Sequence, residues 1–345
     1  MTDLPERMSG VHLIGHGGPE MLVWRDDLPV PRPASGEVLV KVLAAGVNMT
    51  DINTRKGWYG AEGRLAGWGG EMAFPRIQGS DLCGRIVALG TDVEGLALGA
   101  RVICPTNQHE PTADNPIRFV SIGSEYDGAF AQYCLVKARH LHDVTASPLS
   151  DVEIGAMPCA YGTAHNLLSR ANVAVGERVL VTGASGGVGL AAVCLALLRG
   201  ADVTAQCSVS KSAVLRGFGA AILPRDAEPR RKSFDVVIDV VGGDGFQSRL
   251  DALRPGGRYA TSGAVGGPVV RGDLRRVYLN DLTILGATHQ PREVFAGLVT
   301  IINTARIRPV VSNTYPLRDI ARAQDDLASG RHIGKLVLVP PVDKD

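Results

Sequence analysis

The sequence predicts an α/β protein of two parts: a β-rich body and a doubly wound parallel sheet with helices on both faces. Three observations predict it. Up to about residue 160, short apolar runs are broken by glycine and proline, as short strands and turns require. Beyond that point strand-like runs alternate with helical ones, which is the pattern of a parallel sheet. Where the second style begins, "RVLVTGASGGVGLAAVCLALL" sets a glycine-rich turn between a run of β-formers and an apolar helix. A chain of 345 residues has room for two domains.

In order, "GEVLVKVLAAGV", "CGRIVALG", "GARVICP" and "AQYCLVKARHLHDV" read as strands of an all-β body. After residue 160 the strands are "RVLVTG", "DVTAQ", "AILP", "DVVIDVV", "RYATSG" and "LTILGAT", with helices in "GLAAVCLALLRG" and "SKSAVLRGFG". "DAEPRRKS" is a charged surface loop. The last stretch, "NTYPLRDIARAQDDLASGRHIGKLVLVPP", holds a helix and a strand that return to the first body. The expected division is residues 1–160 with 289–345 as one domain and 161–288 as the other.

Composition removes several classes. With 36 basic and 35 acidic side chains the net charge is +1, which gives no electrostatic footprint for nucleic acid or a charged membrane. No apolar run approaches the roughly 20 residues of a membrane span. "MTDLPERMSG" lacks the apolar core of a signal peptide, so a cytoplasmic protein is the expectation. The six cysteines, Cys83, Cys104, Cys134, Cys159, Cys194 and Cys207, are scattered among apolar residues and read as buried reduced thiols.

In the glycine turn, Ala184, Gly186 and Gly189 fill the three small positions of a dinucleotide fingerprint: one for the tight turn, one for close approach to a pyrophosphate, one for helix–strand packing. The helix N-terminus then presents N–H groups to phosphate. An NAD site usually ends its second strand with an acid that holds the ribose 2′-hydroxyl. Here that strand ends "VTAQCS", followed by Ser208, Ser210 and Lys211, with Arg225 after the next short strand. Hydroxyls and cations attract a 2′-phosphate that a carboxylate would repel, so the expected cofactor is NADPH. "TGASGGVG" also fits a short-chain dehydrogenase, whose Tyr-x-x-x-Lys is matched by Tyr133 and Lys137. That pair precedes the turn instead of following it, so both read as alternating strand residues.

Several segments together resemble the medium-chain dehydrogenase/reductase superfamily, in its quinone-oxidoreductase and enoyl-reductase branch. They are "GEVLVKVLAAGVNMTDINTRKGWYG", "IQGSDLCGRIVALGTDVEGLALGARV", "GAFAQYCLV", "PCAYGTAHNLL", "VTGASGGVG" and "GKLVLV", in the family's order. The resemblance implies a GroES-like β-domain, a Rossmann domain and an active site in the cleft between them. It places Thr163 near the cofactor and the turn Ser185, Gly186, Gly187 and Val188 at the pyrophosphate. It also sets Val241 and Ser262, Gly263 and Ala264 beside ribose and nicotinamide, with Lys335 returning towards the same cleft.

Zinc-dependent members carry ligands that this chain lacks. Asn48 stands at the first ligand position and Ser80 at the second, which leaves Cys159 alone, and the loop at 105–128 has no cysteine for a structural metal. No metal is expected, and His109 reads as a surface residue. In enoyl reductases a tyrosine that donates the proton falls where Tyr59 stands. A phenol is protonated at neutral pH and can serve as donor to a carbonyl or carbanion. Asn48 is expected to hydrogen-bond the nicotinamide or the substrate oxygen, and Asp51 to orient its loop. "AEGRLAGWGGEMAFP", with Trp68, Met72 and Phe74, reads as a lid over an apolar substrate.

The expected function is NADPH-dependent reduction of an α,β-unsaturated carbonyl or quinone without zinc. The alternatives are zinc-free alcohol or aldehyde oxidoreduction and NADPH binding without turnover. The proline-free apolar strand at 281–288 is expected at the sheet edge, where it would pair with a second copy to form a homodimer.

Overall fold

The computed structural model describes residues 4–60, 68 and 72–342. The chain divides into two compact units, Met1–Cys159 with Pro291–Asp345, and Ala160–Gln290.

The first unit is built on the long strand Glu37–Val47. Cys83–Leu89, Tyr133–Lys137 and Lys335–Val339 all pair with it in antiparallel fashion. This seven-stranded sheet runs His142–Asp143, Arg101–Ile103, Cys83–Leu89, Glu37–Val47, Lys335–Val339, Val311–Pro316, with Tyr133–Lys137 pairing Glu37–Val47 off that path. Val38, Leu39 and Val40 are consecutive and fully buried, so this strand is covered on both faces. Leu336 lies opposite Val47, which sets the start of the C-terminal strand beside the end of the central one. The terminal segment supplies the helix Ile320–Ala328 and the strands Val311–Pro316 and Lys335–Val339 to this unit.

This body is not purely β. Asn48 is extended (φ −129°, ψ 154°) and caps a helix, Met49–Arg55, whose third residue, Asp51, accepts the Asn48 N–H at 2.8 Å. Ser150 and Glu153 cap a second short helix, Asp151–Gly155, in the same reciprocal way. "AQYCLVKARHLHDV" is interrupted by a 3-10 turn, Ala138–His140. At the first two of these places reciprocal capping sets the start of a helix.

The second unit holds six parallel strands in the order Ala221–Pro224, Asp202–Cys207, Arg178–Val181, Phe234–Asp239, Leu253–Thr261, Thr283–Gly286. The order reverses direction between Arg178–Val181 and Phe234–Asp239, the switch point at which such sheets bind ligands beyond the strands' carboxyl ends. Phe234–Asp239 is buried throughout. The helix Gly187–Leu198 is apolar on every side and buried from Gly189 to Ala196. Thr283–Gly286 pairs on one side only and is therefore an edge, with Thr283, Ile284 and Gly286 exposed.

All six cysteines are reduced and buried. Among the described residues no helix is long and apolar enough to cross a membrane.

Candidate functional site

In the first unit, residues from four distant segments meet in a buried cluster. Lys335 is 3% exposed, and its ammonium donates to Val47 O (3.0 Å), Asp81 Oδ2 (3.0 Å) and Asn48 Oδ1. An ammonium has three N–H bonds, so all are used. Asp81 is fully buried and accepts from Asn48 Nδ2 at 2.9 Å and from the Cys159 N–H at 2.5 Å. Asn48 Nδ2 also lies 3.3 Å from Ser80 Oγ. The Asn48 amide is engaged within the protein on both its oxygen and its nitrogen, and Lys335 clamps Asn48 and Asp81.

Asn48, Ser80 and Cys159, the three positions where zinc relatives carry ligands, do converge. As a metal site they do not fit. Asn48 and Ser80 are neutral, and burial together with the charge of Asp81 pushes the Cys159 thiol up to about 12, so no thiolate forms near neutral pH. Among the described residues no group of three or more His, Cys, Asp or Glu is arranged to hold a metal ion.

Tyr59 follows the helix Met49–Arg55. Its hydroxyl donates to Thr50 Oγ1 at 3.2 Å and lies 3.4 Å from Asn53 Nδ2. Its ring stacks on Trp68 (centroids 6.0 Å, interplanar angle 16°) and meets Trp58 edge-on. Burial raises its pKa, so the phenol stays protonated at neutral pH. Asp51 is likewise pushed up, to about 7, by burial, while the Asn48 N–H works the other way. Of the expected lid, residues 61–67 and 69–71 lie outside the described residues; Met72 is buried. His109 is held at the surface, Nε2 to Pro116 O at 3.0 Å.

The second unit carries the other group of expected residues. The left-handed residue of the glycine turn is Gly183 (φ +56°), not Ala184, which is buried and donates its N–H to Gln206 O. Gly189 has the expected packing role: a Cβ there would lie 2.2 Å from Gly183 O. Gly186 caps the helix, with Ser185 buried before it and Gly187 and Val188 in its first turn. Thr163 is half-buried in the helix Pro158–Arg170.

At the carboxyl end of Asp202–Cys207, Gln206 turns its amide to Arg225 O and Ala227 O, and Ser208 and Ser210 lie 3.4 Å apart through their hydroxyls. Burial and the Arg225 charge both lower the Lys211 pKa, which marks the two cations as neighbours. Arg216 joins them around Cys207, a residue the sequence reading passed over. Val241 lies just beyond the strand Phe234–Asp239, and Ser262, Gly263 and Ala264 follow the strand Leu253–Thr261; the Gly266 N–H donates to Val241 O at 2.7 Å.

Sequence reading also missed Asp81, whose lysine partner is 254 residues away. It missed Thr50 and Asn53, whose only signal is their place within "NMTDIN", and the Asp239 network described below.

Residues 34–146 match the alcohol dehydrogenase GroES-like domain family, and residues 218–338 match a family described as zinc-binding dehydrogenase. The acryloyl-coenzyme A reductase of Metallosphaera sedula is 31% identical over 89% of this chain and 93% of its own length. The quinone oxidoreductase of Mus musculus is 29% identical over 96% and 98%. A solved structure of a candidate alcohol dehydrogenase from Sinorhizobium meliloti 1021 is 42% identical, covers 99% of each chain and superposes with a TM-score of 0.92.

Proposed function

The chain belongs to the medium-chain dehydrogenase/reductase superfamily, in its quinone-oxidoreductase and enoyl-reductase-like branch, and is an oxidoreductase; from that premise we propose that it reduces an α,β-unsaturated carbonyl or quinone with NADPH, without zinc. The observation that carries this reading is the pairing of two features. One is a protonated tyrosine held by Thr50. The other is a metal-ligand position taken over by neutral Asn48 and Ser80 and by an internal lysine–aspartate pair.

The dinucleotide, when bound, supplies a hydride from C4 of its nicotinamide. The residues fit such a group: Gly189 clears the turn, the helix after Gly186 offers N–H groups, and no carboxylate side chain ends the strand Asp202–Cys207. Ser185 to Val188 hold the pyrophosphate. Ser208, Ser210, Lys211 and Arg225 hold the 2′-phosphate, with Arg216 as a further cation. Thr163, Val241 and Ser262, Gly263 and Ala264 orient the nicotinamide half. Tyr59 donates its proton to the carbanion or enolate, and Thr50 and Asn53 hold the phenol in place for that transfer. Lys335 and Asp81 act through Asn48 on the start of the helix Met49–Arg55.

The acryloyl-coenzyme A and quinone reductases among the relatives support this substrate class, and the alcohol dehydrogenase name of the Sinorhizobium structure favours carbonyl–alcohol interconversion as the second reading. The test is consumption of NADPH and of NADH against a panel of enones, enoyl thioesters, quinones and simple aldehydes, after treatment with a chelator. The expected outcome is NADPH-linked turnover of the conjugated acceptors, undiminished by chelation. Turnover of aldehydes only, a preference for NADH, or activity lost with a stoichiometric metal contradicts the proposal. Binding of NADPH with no turnover on the panel supports the non-catalytic alternative.

A further inference from the structure

Asp239 ends the central strand Phe234–Asp239 and is fully buried. Nothing in the proposed chemistry uses it, yet its carboxylate collects donors from four elements. Oδ1 accepts from Thr182 Oγ1 at 2.5 Å and from the Val241 N–H at 2.8 Å. Oδ2 accepts from Arg249 Nη1 at 2.8 Å and from the Tyr259 hydroxyl, and the Gly242 N–H lies 3.3 Å from both oxygens. Arg249 reaches on to Gly242 O at 2.7 Å, and Thr182 Oγ1 accepts from the Val240 N–H at 3.2 Å. Burial and the neighbouring carboxylate keep Tyr259 protonated and therefore a donor.

The donors come from the residue before Gly183, from the loop 240–242, from the helix Phe246–Ala252 and from the strand Leu253–Thr261. The loops they govern are closely packed. A Cβ on Gly183 would lie 3.1 Å from Val241 Cγ2, and one on Gly243 would lie 2.4 Å from Gly266 O. The bonds from Gly243 N–H to Gly267 O and from Gly266 N–H to Val241 O close the third side. A fully buried carboxylate satisfied by this many donors fixes their relative positions, and a lost member leaves a buried charge or donor unpaired.

We propose that Asp239, with Thr182, Arg249 and Tyr259, is the positioning centre that holds the Gly183 turn, the 240–243 loop and the 264–267 loop in the one arrangement that accepts the nicotinamide half of the dinucleotide. This rests on the cofactor reading above. It assigns these four residues no contact with the cofactor. Their effect passes through Val240, Val241 and Gly242.

The experiment compares affinities for NADPH and for 2′,5′-ADP, which carries only the adenosine and 2′-phosphate part, in the full-length protein and in Asp239→Asn, Tyr259→Phe and Thr182→Val. Thr182→Val keeps the side-chain volume and covers the case in which Asp239→Asn fails to fold. The expected result is NADPH binding weakened about tenfold in the variants, with 2′,5′-ADP binding within about twofold of wild type. NADPH affinity unchanged in a folded Thr182→Val and Tyr259→Phe overturns the proposal, and so does an equal loss for both ligands, which marks a merely structural role. Wild-type protein that binds neither ligand strikes at the cofactor reading itself, and at this inference with it.

Discussion

At the scale of single residues, Tyr59 and Asp51 carry the sharpest expectations. Tyr59→Phe keeps the ring stacked on Trp68 and removes only the proton that Thr50 now accepts. Turnover is expected to fall about a hundredfold with cofactor affinity unchanged, because general acid catalysis is worth roughly that much. Steady-state rates beside a cofactor titration measure it, and undiminished turnover removes Tyr59 from the chemistry. Asp51 holds its proton in the folded chain up to about pH 7, whereas the ordinary value is 3.8. Folding takes up a proton between those values, so this group's contribution to stability is full below the ordinary value and falls as pH rises through the window, by at most about 4 kcal/mol. Asp51→Asn is expected to flatten that slope in denaturant midpoints taken across the window; an unaltered slope contradicts the assignment. Tyr59 is a candidate in the sequence only because the family resemblance marks its position. The engagement of Asn48 was not legible there, since it depends on Lys335, which strand pairing brings from 287 residues away.

At the scale of elements, the parallel strands and the glycine turn were legible because period, turn residues and length all point the same way. The helix Met49–Arg55 was not, since its start depends on a cap between Asn48 and Asp51 within an otherwise strand-like stretch. The turn's left-handed residue is Gly183, one position before Ala184, the residue to which the fingerprint assigns the tight turn. The edge strand Thr283–Gly286 matters for assembly. It exposes Ile284 and one unpaired side of its backbone, and Leu274, Tyr278 and Leu279 nearby in the chain are exposed apolar residues as well. A homodimer joined through this strand is the proposal. Light scattering at micromolar concentration is expected to give a dimer mass for the native chain and a shift to monomer for Ile284→Pro, which places a proline in the ladder. A native monomer, or a dimer indifferent to that substitution in a folded chain, rules it out.

At the scale of the whole molecule, each unit brings one half of the proposed chemistry. The first holds Tyr59, the proposed proton donor, and the buried Lys335–Asp81–Asn48 cluster. The second holds the glycine turn proposed for the pyrophosphate and the cations Lys211 and Arg225 beyond its second strand. Family, fold and cofactor class can be read in the order of the motifs. The substrate cannot, because no motif describes the side chains that would surround it. The choice between conjugate reduction and carbonyl reduction is therefore best made on the product. The decisive measurement is NMR of the product formed from an enone with NADPH deuterated at C4 of the nicotinamide. Deuterium on the β-carbon of a saturated ketone is expected; deuterium on the carbinol carbon of an allylic alcohol would contradict the proposed function.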